Sequence, residues 1–376
     1  MFERDLLDKL FVYDQNGKDY ICFTHSDKVW IIPEDNYEPA LEMYQPSTIK
    51  GKALKSCIRF CCRSKVGLGK VGVYRRKLSF HSQIRLYLKS IVNEEDIYIA
   101  AYMGDTTTKQ NNKVTLQIYN EQKILCYGKI TREPEVLENF SREIDGLKFL
   151  EKKGINNIPK VLGEREIGDL KIFVQSTNKP LRQPVRLEFG RKQIEFIHNI
   201  VKKTQFHVRY ELSEFYILVQ YLKDNAAKLG KTEEKIILSA VKWVETYAEE
   251  KGLPVAFCHG DYTPWNVYYQ NGELNSFDFE YCLRMMPAYI DVFHYLTQLS
   301  ILGKSNDASE TIKLYESYQG ILKEYMSDTD VIYGCYLLYI IGFYYHRTDG
   351  DCKRIGKQLE IWLELLEYLL KENERI

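Results

Sequence analysis

The chain has 376 residues, 45% of them hydrophobic, and its 52 Lys and Arg are cancelled by 52 Asp and Glu. That length holds core enough for two or three domains, and zero net charge gives no chain-wide attraction for a polyanion. The charged first residues lack the apolar run of a secretory signal; the most apolar window, 331–345, falls short of the roughly 20 residues of a bilayer span and reads as a buried helix. Nine cysteines, with no CxxC pair, read as reduced thiols, so the expected location is the cytoplasm.

In chain order, Tyr20-Ile21-Cys22-Phe23 and Val29-Trp30-Ile31-Ile32 suggest early strands, the second stopped by Pro33. Residues 50–89 then carry twelve basic residues (Lys50, Lys52, Lys55, Arg59, Arg63, Lys65, Lys70, Arg75, Arg76, Lys77, Arg85, Lys89) and no acid. A solvated face answered by acids elsewhere accounts for such a run. So does contact with a phosphorylated glycan, or with an anionic membrane at about 1 kcal/mol per well-placed basic residue. Sparse aromatics argue against a base-stacking nucleic-acid platform. Cys57, Cys61 and Cys62 suit a helix face, since no His or Cys lies at zinc-ligand spacing. Gly67 to Gly72 matches GxGxxG literally, but no strongly apolar strand precedes it, and the match reads as chance.

Strands are expected at 97–102, 113–119 and 123–130, with a small-residue loop from Gly104 through Thr106 and Thr107 after the first. Val136, Leu137, Phe140, Ile144, Leu147 and Leu150 recur at helical spacing over 135–153, where Gly154 stops the helix. A further strand is expected at 171–175. Helices are expected at 188–203, 212–229 and 232–250, then from Pro287 onward, and at 308–326, 329–346 and 352–374.

The most informative stretch is His259 to Glu280, HGDYTPWNVYYQNGELNSFDFE. Val255-Ala256-Phe257-Cys258 suits a buried strand that delivers His259 and Asp261 into a loop. Val267-Tyr268-Tyr269 and Leu274-Asn275-Ser276-Phe277 read as a hairpin across Asn271-Gly272, which brings Asp278 back beside Asn266. One carboxylate near an acceptor hydroxyl, with an amide oxygen and a second carboxylate for magnesium, is what phosphoryl transfer from ATP needs.

The segment resembles the catalytic and metal-binding loops of the aminoglycoside phosphotransferase and choline kinase group, which shares the protein-kinase-like fold. The resemblance begins near residue 96. It implies an α+β bilobal fold: an accessory region with some α/β structure (1–95), a β-rich nucleotide lobe (96–178) and a large helical lobe (179–376). It further implies an ATP- and Mg2+-dependent kinase of a small polar acceptor. Lys129, paired with Glu143, would orient the ATP phosphates beneath the loop of Gly104, Thr106 and Thr107. Gln175 and Thr177 would lie at the adenine hinge, and Asn266 and Asp278 would hold the metal. Asp261 would take the acceptor proton, His259 would shape the loop, and Asp291 would brace it. Glu280 stands where protein kinases have the glycine of their DFG triplet, which argues against a protein substrate. The HGDYTPWN wording resembles members found with bacterial surface-polysaccharide enzymes, which leans the acceptor toward a sugar or glycan precursor. The rival expectation is a non-catalytic pseudokinase scaffold recruited through its basic N-terminal region.

Overall fold

The computed structural model describes residues 5–46, 48–104, 112–181, 185–303 and 307–373. The chain divides into two compact units, Met1–Lys148 with Pro159–Pro184, and Phe149–Ile158 with Val185–Ile376.

The first unit contains α1 (Asp5–Leu10), β1 (Phe11–His25), β2 (Lys28–Pro33), α2 (Tyr37–Ala40), α3 (Ile49–Ser64), β3 (Val73–Phe80), α4 (Ser82–Val92) and β4 (Tyr98–Met103). It continues through β5 (Val114–Tyr119), β6 (Ile124–Thr131), most of α5 (Pro134–Lys152), β7 (Val161–Ile167) and β8 (Leu170–Ser176). All eight strands form one antiparallel sheet in the order β3-β1-β2-β4-β5-β6-β8-β7. The strands read from sequence as an accessory region and as a nucleotide lobe are therefore consecutive members of one sheet, joined where Val29, Trp30 and Ile31 pair with Met103, Tyr102 and Ala101.

Period-two alternation sorts the side chains. Tyr20, Cys22, Val29 and Ile31 face a core that includes Leu6 and Leu10 of α1 and Ile84 and Leu88 of α4. Their neighbours Ile21, Phe23, Trp30 and Ile32 face a second core with Ile58, Cys61 and Cys62 of α3. Both faces of this part of the sheet are thus covered. Among the elements that escaped the sequence reading are β3 and α4. In β3 the run Arg75-Arg76-Lys77 is exposed or nearly so and hides the alternation. Several basic residues of 50–89 do meet acids. Arg75 makes a two-pronged contact with Glu34 (2.8 and 2.9 Å) and approaches Asp19. Arg59 and Arg63 approach Glu38, Lys77 approaches Asp19, and Lys89 pairs with Glu95.

The second unit is mainly helical: α6 (Arg191–Thr204), α7 (Glu214–Asn225), α8 (Lys231–Lys251), α9 (Ile290–Gly303), α10 (Ala308–Leu322), α11 (Thr329–Arg347), α12 (Cys352–Ile355) and α13 (Lys357–Glu372). Its strands are β9 (Phe206–His207), β10 (Pro254–Cys258), the hairpin β11 (Val267–Gln270) and β12 (Glu273–Ser276), and β13 (Leu283–Pro287). β13 was not anticipated; it pairs with β10, which also pairs with β9. The expected helix at 352–374 is broken at Gly356, whose φ of 66° lies in the left-handed region. The apolar window at 331–345 lies in α11, buried nearly all round and packed on α7, α8, α9 and α13. Among the described residues no helix is long and apolar enough to cross a membrane.

The architecture is thus mixed α and β, with a β-rich first unit and a helical second one.

Candidate active site

In the first unit the sheet register sets one ion pair. Lys129 on β6 stands opposite Phe173 on β8, so both side chains leave the same face. Phe140 of α5 packs against Phe173 there, with ring centroids 6.2 Å apart. Glu143 lies three residues further along α5, and its Oε2 accepts from Lys129 Nζ at 2.6 Å. The two side chains are 5% and 0% exposed. Removing two charges from water is costly, and a hydrocarbon pair of similar volume often serves stability as well or better. Stability alone therefore does not account for the pair.

Gly104 follows directly on β4 and is described, whereas Thr106 and Thr107 lie outside the described residues. Gln175 is buried on β8, its Oε1 without a hydrogen-bond partner among the described residues. Thr177 follows β8, and its hydroxyl accepts from the Lys179 N–H at 3.1 Å, closing a tight turn at the expected hinge.

In the second unit the loop after β10 is built around buried anchors. Asp291, near the start of α9 and 3% exposed, accepts from the backbone N–H groups of His259 (2.7 Å) and Gly260 (3.1 Å) and from the Cys258 thiol (3.2 Å). This is the bracing role expected of it. Gly260 has φ 81°, and a Cβ there would come within 2.2 Å of the Tyr281 carbonyl oxygen, so only glycine lets the chain pass. His259 is fully buried, and desolvation pushes its pKa below the ordinary 6.5. Its Nδ1 accepts from the Asp261 N–H (3.3 Å), while Nε2 lies 3.1 Å from the Phe277 carbonyl and 2.8 Å from Ser276 Oγ. Those partners assign the neutral ring a proton on Nε2. His259 thus ties the loop to the end of the β11–β12 hairpin.

Asp261, 33% exposed, is the carboxylate this scaffold presents. Asn266 Nδ2 donates both to Asp261 Oδ2 (2.8 Å) and to its backbone oxygen (2.9 Å). With Nδ2 committed, the Asn266 Oδ1 is turned away, and among the described residues it accepts no hydrogen bond. The hairpin closes as expected across Asn271-Gly272, with Val267 opposite Ser276. The Phe277 N–H donates to the Asn266 carbonyl at 3.0 Å, so Asp278 follows directly on a residue bonded to Asn266. Asp278 is half-buried and takes φ 68°, a strained conformation of the kind that persists where surrounding structure enforces it.

Among the described residues no cluster of three or more His, Cys, Asp or Glu side chains could hold a metal ion. One amide oxygen and one carboxylate fit magnesium, which keeps several waters and takes its other ligands from phosphates. They fit zinc poorly, because zinc wants three or four protein ligands of nitrogen or sulfur.

The sequence reading missed His294. It lies on α9 one turn beyond Asp291, and its Nε2 reaches Asp261 Oδ1 at 3.3 Å. The three-residue spacing from a bracing acid was the available signal, because it puts both side chains on one helix face.

No family model matches this chain, and no curated protein matches it. Solved structures similar to it include the aminoglycoside phosphotransferase APH(2")-IIia in complex with GDP and kanamycin, with 12% identity, coverage of 77% of this chain and 99% of that one, and a TM-score of 0.48. A thermostable mutant of the aminoglycoside phosphotransferase APH(4)-Ia with ADP and hygromycin B is 8% identical over 77% of this chain and 98% of that one, at a TM-score of 0.48. The amicoumacin kinase hAmiN with AMP-PNP, Ca2+ and Ami is 14% identical over 77% and 93%, at a TM-score of 0.42.

Proposed function

We propose that this chain is a phosphotransferase that moves the γ-phosphoryl group of ATP to a hydroxyl of a small polar acceptor, a sugar or glycan precursor being the favoured class. The observation that carries this reading is the clasp of Asn266 on Asp261. One amide holds the carboxylate through its nitrogen, and in this reading its oxygen serves as the metal ligand. Asp261 takes the proton of the acceptor hydroxyl as the oxygen forms its bond to phosphorus and the bond from phosphorus to the ADP oxygen breaks. Lys129, oriented by Glu143, binds the α- and β-phosphates. Asn266 and Asp278 hold Mg2+, which when bound offsets charge on the phosphoryl oxygens. Gly104, Thr106 and Thr107 are assigned to the phosphates, and Gln175 and Thr177 to the adenine end. A pseudokinase scaffold has no need to keep a buried Lys–Glu pair and a clasped Asp together.

The test is transfer of label from γ-labelled ATP, with MgCl2, to a panel of sugars, amino alcohols and aminoglycosides. Asp278→Ala should lower turnover by at least ~100-fold, in the range of a lost catalytic interaction, and leave the fold intact. Near-normal turnover in that variant removes the assignment. ATP binding with neither transfer nor Mg2+-dependent hydrolysis favours the scaffold.

The exposed Lys65 and Lys70 are chain neighbours of the exposed Val66, Leu68 and Val71, which supports contact of residues 50–89 with an anionic membrane surface or a phosphorylated glycan. Salt-sensitive flotation with phosphatidylglycerol vesicles, absent with phosphatidylcholine, is expected for the membrane case. Equal behaviour with both lipids rules that case out.

A further inference from the structure

We infer that His294 is a positioning residue for Asp261, locking the carboxylate in the one orientation from which it receives the acceptor proton. The inference rests on the reading of Asp261 given above. One turn of α9 supplies two grips on the same loop. Asp291 takes the backbone N–H groups of His259 and Gly260, and His294, three residues on, takes the Asp261 side chain. The His294 side chain is 6% exposed. Its Nδ1 is buried and has no hydrogen-bond partner among the described residues, and its ring stands edge-on to Tyr336 at 5.6 Å.

An ionised carboxylate only accepts, so the contact at Oδ1 requires the proton on Nε2. That choice leaves Nδ1 a buried acceptor without a partner among the described residues. A leucine would fill the space and strand nothing, so packing alone does not call for histidine. What histidine adds is a second N–H on the carboxylate. Asn266, on the loop, holds Oδ2, and His294, on a rigid helix, holds Oδ1. Two donors on two elements fix the plane of the carboxylate, and each oxygen keeps a lone pair for the acceptor hydroxyl. With one donor gone the group swings about its last torsion, and misplacement of about 1 Å can cost on the order of 100-fold in rate.

The experiment compares His294→Leu with His294→Gln in the full chain, the second keeping an N–H donor near the position of Nε2. Mg2+-dependent ATP hydrolysis, with water as acceptor, is the activity probe. His294→Leu should lower kcat roughly 10- to 100-fold with KM for ATP within about two-fold of the parent and no loss of thermal stability, and His294→Gln should recover most of kcat. Wild-type kcat in His294→Leu, or equal losses in both variants, overturns the inference. A wild-type chain without turnover overturns the phosphotransferase reading first. The His294–Asp261 contact is then judged by 15N NMR of labelled histidine: a proton on Nε2 whose resonance moves in Asp261→Asn upholds it, and a proton on Nδ1 refutes it.

Discussion

The ion pair between Lys129 and Glu143 allows stability and chemistry to be separated. Its nitrogen and oxygen are 2.6 Å apart and both side chains are almost wholly out of water. Replacing Glu143 by leucine leaves an ammonium group in a buried site without the oxygen that answers it. The cost of breaking such a pair from one side is ~3–5 kcal/mol, because the remaining charge loses the Glu143 carboxylate that offset its desolvation. Replacing both partners, Lys129→Met with Glu143→Leu, removes both desolvation penalties and should return the protein to parental stability or raise it by ~1–4 kcal/mol. The double variant should nevertheless be as inactive toward ATP as the single ones. Urea unfolding gives the energies, and hydrogen exchange at β6 and α5 assigns the change to the first unit. The reasoning fails if Glu143→Leu costs less than about 1 kcal/mol, or if the double variant is no more stable than the single. It fails differently, for function, if the double variant turns over ATP at the parental rate.

Two further outcomes are expected. Gly260→Ala puts a methyl within 2.2 Å of a backbone oxygen at φ 81°, so the His259–Asp261 loop must shift; turnover should fall by ~100-fold, measured as ATP hydrolysis, with parental activity contradicting the packing argument. His259 titrates below its ordinary 6.5 because it is buried, so the unfolded chain binds the proton more readily than the folded one. Its contribution to stability is complete above pH 6.5 and is lost as pH falls through the lowered folded value. His259→Gln should flatten the decline of unfolding free energy with acid in that window, and an unchanged slope would contradict the burial argument.

The legible part of this molecule was the local part. The hairpin from Val267 to Ser276 follows from Asn271-Gly272 between two short apolar runs, and its closure sets Phe277 on Asn266 whatever the rest of the chain does. α5 was legible because six apolar residues from Val136 to Leu150 keep one helical period over about four turns. The elements that escaped owe their form to distant partners. β3 is a strand because β1 lies beside it, and the acids that answer Arg75 and Lys77 come from Asp19 and Glu34, more than forty residues earlier. β13 exists through β10, whose Val255 and Ala256 stand opposite Pro287 and Met286. The part played by His294 was invisible for the same reason, since the loop it grips is 33 residues away.

The uninterrupted run of hydrogen bonds from β3 to β7 changes how a shortened chain would behave. A protein begun at residue 96 keeps β4 but loses β2, so the N–H and C=O groups of Tyr102 and its neighbours that meet Trp30 and Ile31 would face solvent as a naked rim. Ala100 and Tyr119 would also lose the apolar blanket laid over them. Rims of that kind join to one another across molecules. Loss of activity on such a deletion would then report clumping of a damaged sheet, and would say nothing about whether the missing residues guide the protein to a surface.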